Sequence, residues 1–280
     1  REDAVEHFAA HAAPPLDTIG ETEMRGWVTS RHLLDRGIDR DSAYRGSYLF
    51  LTLQLAQRKI PAALLKAECR MEELAAQAAS GREWLSRQER MDIRRSVSER
   101  LLPNMPPQLH GIEFALRRES QLLLASAVSV KQADTFAASF QGTTGYSIRP
   151  LGPEDPSLFG VAADPRTWQP VSFSAHVPSD GMQLFPGRDF LTWLWFRSEQ
   201  AQADAPQLLV EGPLTLAHEG QGAHETVLRK GQPTASAEAK AGLLAGKKLR
   251  QAKVTLTDGE QIWSARVDAD TFAMRSVRLP

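Results

Sequence analysis

Apolar residues recur at Val5, Phe8 and Ala12. That three-to-four spacing predicts a helix over residues 2–12, stopped by Pro14-Pro15. Over residues 48–56 the period changes to two. Leu49, Leu51, Leu53 and Leu55 share one face of a predicted strand. Pro61 then opens a helix at its first turn. The apolar stripe of that helix is Leu64, Ala67, Met71, Leu74, Ala75 and Ala78, and Gly81 ends it. Ser86-Arg87-Gln88-Glu89 is a capping box for a second helix, which runs through Met91, Val97, Leu101 and Leu102 and stops before Pro103. Pro106-Pro107 predict an extended linker.

Residues 111–117 and 122–128 alternate as two antiparallel strands. Ser129 with Gln132 offers another capping box, opening a helix that buries Phe136 and Phe140, and residues 146–151 return as a strand. Hairpin, helix, strand is the order of an α+β unit. Pro, Gly and Asp crowd residues 152–170, the best stretch for a linker or long loop. Beyond it the pattern predicts a strand over 171–177. The apolar run at 188–199 reads as a buried helix or a strand. Short strands broken at Gly212-Pro213 follow over 207–217, then an Ala-rich helix over 235–245. The C-terminus reads as strands at 252–257, 262–267 and 272–279. Asp258-Gly259 joins the first two, since both turn residues tolerate positive φ.

The chain has 280 residues, 42% of them hydrophobic and 24% charged, enough to bury a core. No apolar stretch approaches the roughly 20 residues of a membrane span, so no membrane contact is expected. Cys69 is the only cysteine. It excludes an intrachain disulfide and Cys-rich zinc sites, and suits a reducing compartment. The chain opens on Arg1 rather than Met. The net charge of -1 hides an asymmetry: residues 229–253 hold seven basic residues against Glu238 alone. Such a segment is either a localised polyanion contact or a solvated face.

Few residues assemble into chemistry. His7 and His11 share a helix face without a third metal ligand. His218-Glu219 and His224-Glu225 lie in a Gly-rich stretch rather than on the continuous helix a zinc-protease motif needs. Glu238-Ala239-Lys240 matches the Asp/Glu-x-Lys of metal nucleases, but on an Ala-rich helix instead of a strand. There is no phosphate loop, dinucleotide fingerprint or nucleophile elbow. The reading is non-enzymatic, with neither cofactor nor metal.

Gly26-Trp27-Val28 follows an amphipathic helix. Arg58-Lys59-Ile60-Pro61 leads from the Leu-rich strand into the next helix, and residues 86–103 form a charged helix ending in Leu-Leu-Pro. In these motifs and their order the chain resembles the RdgC family of recombination-associated proteins. Ala133-Asp134-Thr135, the strand to Leu151-Gly152-Pro153, residues 227–247 and the terminal strands keep that family's order and spacing, whereas roughly 155–225 diverges. The resemblance implies a segment preceding Arg1, because the family's opening strand comes before its first helix.

It also implies an α+β fold of mixed antiparallel sheets with packed helices, in an elongated or horseshoe-shaped protomer. Its expected partners are double-stranded DNA and a second copy of the chain, which together close a ring on duplex of any sequence. It further implies a cytoplasmic, nucleoid-associated protein that limits access by the recombinase RecA. Some members carry an exonuclease label that these residues do not support. Three regions are expected: 1–154 α+β, 155–225 divergent, and 226–280 carrying the basic helix and terminal strands. By match to the family, Arg229, Lys230, Gln232 and Lys247 are the expected DNA contacts. Lys248, Arg250 and Lys253 join them on charge alone. Rival readings are a metal-dependent exonuclease using Glu238 and Lys240, and a scaffold for an acidic protein partner.

Overall fold

The computed structural model describes residues 4–117, 119–155, 167–180, 182–200, 206–218 and 225–280. The chain forms two compact units, Arg1–Ile148 and Arg149–Pro280, each built on an antiparallel sheet with helices. The fold class is therefore α+β.

Unit 1 runs α1 (Ala4–Ala10), β1 (Met24–Thr29), α2 (Arg40–Ala43), β2 (Tyr44–Arg45), β3 (Tyr48–Arg58), α3 (Ala62–Ser80), α4 (Arg87–Leu101), β4 (Pro107–Arg117), β5 (Leu122–Ala125) and α5 (Val130–Thr144). The sheet order is β1-β3-β4-β5, with β2 also on β3. Leu49, Leu51 and Leu53 point to one side, as their alternation requires. There they meet Phe8, Trp27, Phe114, Phe136 and Phe140 in one core. Trp27 packs edge-on to Phe8 at 4.9 Å, to Phe114 at 5.5 Å and to Phe136 at 5.9 Å. Its indole N–H donates to Thr143 Oγ1 at 2.7 Å, so the buried polar atom is satisfied.

Gly26 has a steric reason. The backbone leaving α1 lies flat against β1: Ala13 N–H donates to Trp27 O and Trp27 N–H to His11 O, both at 2.9 Å. A Cβ on Gly26 would sit 2.3 Å from Ala13 Cα, closer than atoms tolerate.

Between β3 and β4 the chain makes a helical arm. Gly81 ends α3 at φ 64°, a conformation glycine adopts without strain. The Ser86 box caps α4: Glu89 N–H donates to Ser86 Oγ at 3.1 Å, and Ser86 N–H donates to Glu89 Oε2 at 2.8 Å. The Ser86 backbone N–H, and after it the Arg82 guanidinium and the Ser86 hydroxyl, hold the Glu89 carboxyl down to about 2. Arg100 ties α4 to Glu68 at 3.1 Å and Glu72 at 3.0 Å on α3. The expected stripe of α3 is not buried in the core: Leu64, Met71 and Leu74 are exposed, because α3 packs on α4 and not on the sheet. Arg58, the last residue of β3, secures the base of the arm. Its guanidinium donates to Ile19 O at 2.9 Å, Leu16 O at 3.1 Å, Pro103 O at 3.4 Å and also to Met105 O.

Unit 2 runs α6 (Pro186–Ser198), β6 (Gln207–Ala217), β7 (Glu225–Leu228), α7 (Ala237–Leu244), β8 (Lys248–Asp258), β9 (Gln261–Asp268) and β10 (Met274–Arg278), in sheet order β10-β9-β8-β6-β7. Leu191 and Trp195 of α6 pack with Val210, Leu214, Leu216, Leu249 and Ala252. The ambiguous run at 188–199 is thus a helix, buried on one side only.

Several expectations are corrected. Residues 146–151 and 171–177 are irregular. Pro107 already belongs to β4, pairing with Arg58. Strand β6 continues through Gly212-Pro213, where a shift of register against β8 absorbs the interruption. Strand β8 begins at Lys248, four residues before the alternation became visible. The Ser129 box is half formed: Ser129 Oγ accepts from Gln132 N–H, but the Gln132 side-chain Oε1 accepts from Val128 N–H and not from Ser129 N–H. Of the expected loop at 152–170, residues 156–166 lie outside the described residues, as do Glu219 and His224.

The close approach at Gly26 generates a test. Gly26→Ala forces the Ala12-Ala13 backbone away from β1 and should destabilise unit 1 by about 1–3 kcal/mol. Urea unfolding followed by far-ultraviolet circular dichroism measures it; an unchanged midpoint would contradict the contact.

Candidate nucleic-acid interface

Helix α6 covers the side of the second sheet that bears Val210, Ala252, Val254 and Val267. Alternation sends Glu211, Lys253, Thr255 and Arg266 to the opposite side. There the strand register sets charges side by side. Lys253 is the Cα partner of Arg266, and Arg266 is the partner of Arg275. Three cations therefore cross β8, β9 and β10 in one row, at the roughly 4.8 Å spacing of neighbouring strands. Arg278, partner of Ser264, extends the same face. Like charges directly opposite one another oppose folding. Glu211, beside Lys253 on β6, offsets one end: Lys253 Nζ lies 2.8 Å from its Oε2, and Thr255 Oγ1 donates to the same oxygen at 3.0 Å. The Lys253 bond outweighs the opposing effect of burial and holds the Glu211 carboxyl below its usual range. Arg266 has no ion pair among the described residues, and its Nε is buried without a hydrogen-bond partner. The row is a ladder of donors on the side of the sheet opposite α6.

The seven residues expected from the sequence fall into different surroundings. Arg229, Lys230 and Gln232 are exposed on the loop after β7. Lys247 is half-buried, its Nζ donating to Thr226 Oγ1 at 2.6 Å. Lys248 is corrected. It is 1% exposed and paired with Asp189 Oδ1 at 2.5 Å, because the early start of β8 turns its side chain inward, so it is not a surface cation. Arg250 is engaged by Glu225 and by Asp270, the latter at 3.0 Å, and Lys253 by Glu211. Arg266, Arg275 and Arg278 were missed, although a signal existed. A hairpin turning at Asp258-Gly259 sets Lys253 opposite Arg266 by counting outward from the turn.

Behind the row, a second ionic group fastens α6 to the sheet. Arg188 grips Asp270 with Nε at 2.6 Å and Nη2 at 2.9 Å, a planar two-pronged pair. Burial pushes the Asp270 carboxyl up, but Arg188, and Arg250 after it, outweigh burial and leave it below its ordinary 3.8.

The nuclease candidates Glu238 and Lys240 are exposed on α7, a helix. Among the described residues no three His, Cys, Asp or Glu side chains converge on a possible metal position. His11 Nδ1 lies 2.9 Å from the His7 carbonyl oxygen, within one helical turn. Among the described residues no helix is long and apolar enough to cross a membrane.

A family model described as "Putative exonuclease, RdgC" matches residues 3–157. The chain belongs to the RdgC family. No curated protein matches it. The RdgC match takes in the Gly26-Trp27 junction, the helical arm and the first sheet, and it ends before the basic row begins.

The Arg188–Asp270 pair predicts an acid response. A carboxyl whose folded pKa is depressed stabilises the fold above its unfolded value of 3.8 and loses that contribution as pH falls through the folded value. Unit 2 should weaken below about pH 4. Asp270→Asn, which leaves Arg188 partly unpartnered, should cost about 1–3 kcal/mol at neutral pH and flatten the acid response. Thermal melts of both proteins from neutral to acid pH measure this.

Proposed function

We propose that this RdgC-family protein binds double-stranded DNA without regard to sequence and without cleaving it, acting in recombination as a homodimer that closes around the duplex and limits recombinase access. The observation that carries the reading is the Lys253–Arg266–Arg275 row. A flat ladder of cations suits a polyanion, because each Lys or Arg that meets a phosphate releases a condensed counterion whatever the base pair. Arg229 and Lys230 on the β7 loop add exposed charge in the same unit. Two-fold symmetry would present every contact twice. Membership in a family of recombination-associated DNA-binding proteins supports the same reading.

A non-specific clamp requires no base-reading helix and no catalytic carboxylates. The description of the family model favours the exonuclease reading instead. Against it stand Glu238 and Lys240, which sit exposed on a helix and belong to no group of three or more His, Cys, Asp or Glu side chains among the described residues.

Binding of unrelated duplexes should agree within severalfold, with log K falling about 0.9 per phosphate contact against log salt. Lys253→Ala with Arg266→Ala should weaken all duplexes alike and flatten that slope, and Arg229→Ala with Lys230→Ala should do the same. Fluorescence anisotropy on one random duplex at several salt concentrations tests it. Parental affinity and slope in both double variants would remove these residues from the interface. Linear duplex incubated with the protein and Mg²⁺ or Mn²⁺ should stay intact. Degradation abolished by Glu238→Ala would promote the nuclease reading.

A further inference from the structure

The outward face of the first sheet carries a second, differently built surface. Register places Arg45, Tyr48, Arg117 and Leu122 in one row across β2, β3, β4 and β5. Two residues along the strands, Phe50, Ala115 and Leu124 form the next row. These positions alternate with Leu49, Leu51, Leu116 and Leu123, which pack into the core, so they project from the other side. The rings of Tyr48 and Phe50 lie 5.8 Å apart, tilted by 40°. Arg45 lies over Phe50 at 5.7 Å, and Arg117 over Tyr48 at 5.9 Å. Farther along this face the Leu33 side chain lies beside Gly111, and the shelf begins beyond it. Leu122 is 39% and Leu124 60% exposed, and the small Ala115 leaves a notch between Phe50 and Leu124.

We infer that this shelf is a site for unpaired nucleotides: bases of a single strand stack on the Tyr48 and Phe50 rings and on the guanidinium planes, while Arg45 and Arg117 meet the flanking phosphates. Aromatic rings and arginine planes on an open sheet offer a π surface to any base. The exposed leucines supply apolar area for the base edges, and Ala115 provides depth. Charge matches as well: Glu119, 3.4 Å from Arg117, is the only carboxylate paired with either arginine among the described residues. A duplex keeps its bases stacked inside and cannot use such a surface, so this site is separate from the basic row of unit 2, and the inference stands or falls independently of the duplex reading.

The test uses the full chain, a short labelled oligothymidylate, an abasic strand of equal length and a blunt duplex, all read by anisotropy. Tyr48→Leu with Phe50→Leu retains apolar volume but removes the rings. It should weaken oligothymidylate binding about tenfold or more and leave the abasic strand and the duplex within twofold. Lys253→Ala with Arg266→Ala should show the reverse preference. Leu124→Glu, at an exposed position that does not endanger folding, should also repel the single strand selectively. Parental oligothymidylate affinity in the ring and Leu124 variants, an equal loss on the abasic strand, or no single-strand binding by the parent would each overturn the inference. So would sedimentation showing that the ring variant loses a dimer the parent forms, since a second copy would then cover the shelf. Loss of duplex binding alone, with single-strand binding intact, would strike the duplex reading and spare this one.

Discussion

The backbone of Ala12 and Ala13 can lie on β1 only because Gly26 has no side chain, and the first unit depends on that contact. The approach fixes where α1 leaves the sheet, and so where Phe8 meets Trp27. With Trp27 held edge-on to three phenylalanines and its N–H on Thr143, α5 has one position over the sheet. A missing methyl group thereby controls the packing of two helices against one sheet.

Much of this was legible beforehand. The period-two leucines of β3, the Ser86 box and the Asp258-Gly259 turn express local rules that tertiary structure had no reason to override. The failures share a physical cause as well. Residues 146–151 and 171–177 carry strand-like side chains but find no neighbouring strand, and pairing is a property of the partner as much as of the segment. Lys248 looked like a loop or surface residue because its partner, Asp189, stands far away in sequence on α6. The apolar stripe of α3 predicted a helix correctly but could not say what it would face.

The basic site was half legible for a related reason. Counting charge along the chain finds Arg229, Lys230 and the lysines after them, yet electrostatics acts across a surface. Once folded, the linear cluster divides: Lys248 turns into the interior, Arg250 joins a carboxylate group, and Lys253 acquires Arg266 and Arg275 as neighbours from strands that looked unremarkable. A sequence window sees contiguous charge, whereas a sheet concentrates residues that a window separates.

Arg58 illustrates a different economy. Among the described residues, every acceptor of its guanidinium is a backbone carbonyl, those of Leu16, Ile19, Pro103 and Met105. A carbonyl oxygen survives every side-chain substitution and does not titrate. Substitution at those four positions leaves the acceptor atoms in place, and acid leaves them unchanged. The side-chain half of these bonds rests on the one position that supplies the guanidinium. Lysine there, with a single point of charge in place of a planar fork, could not hold the three converging chain segments at once.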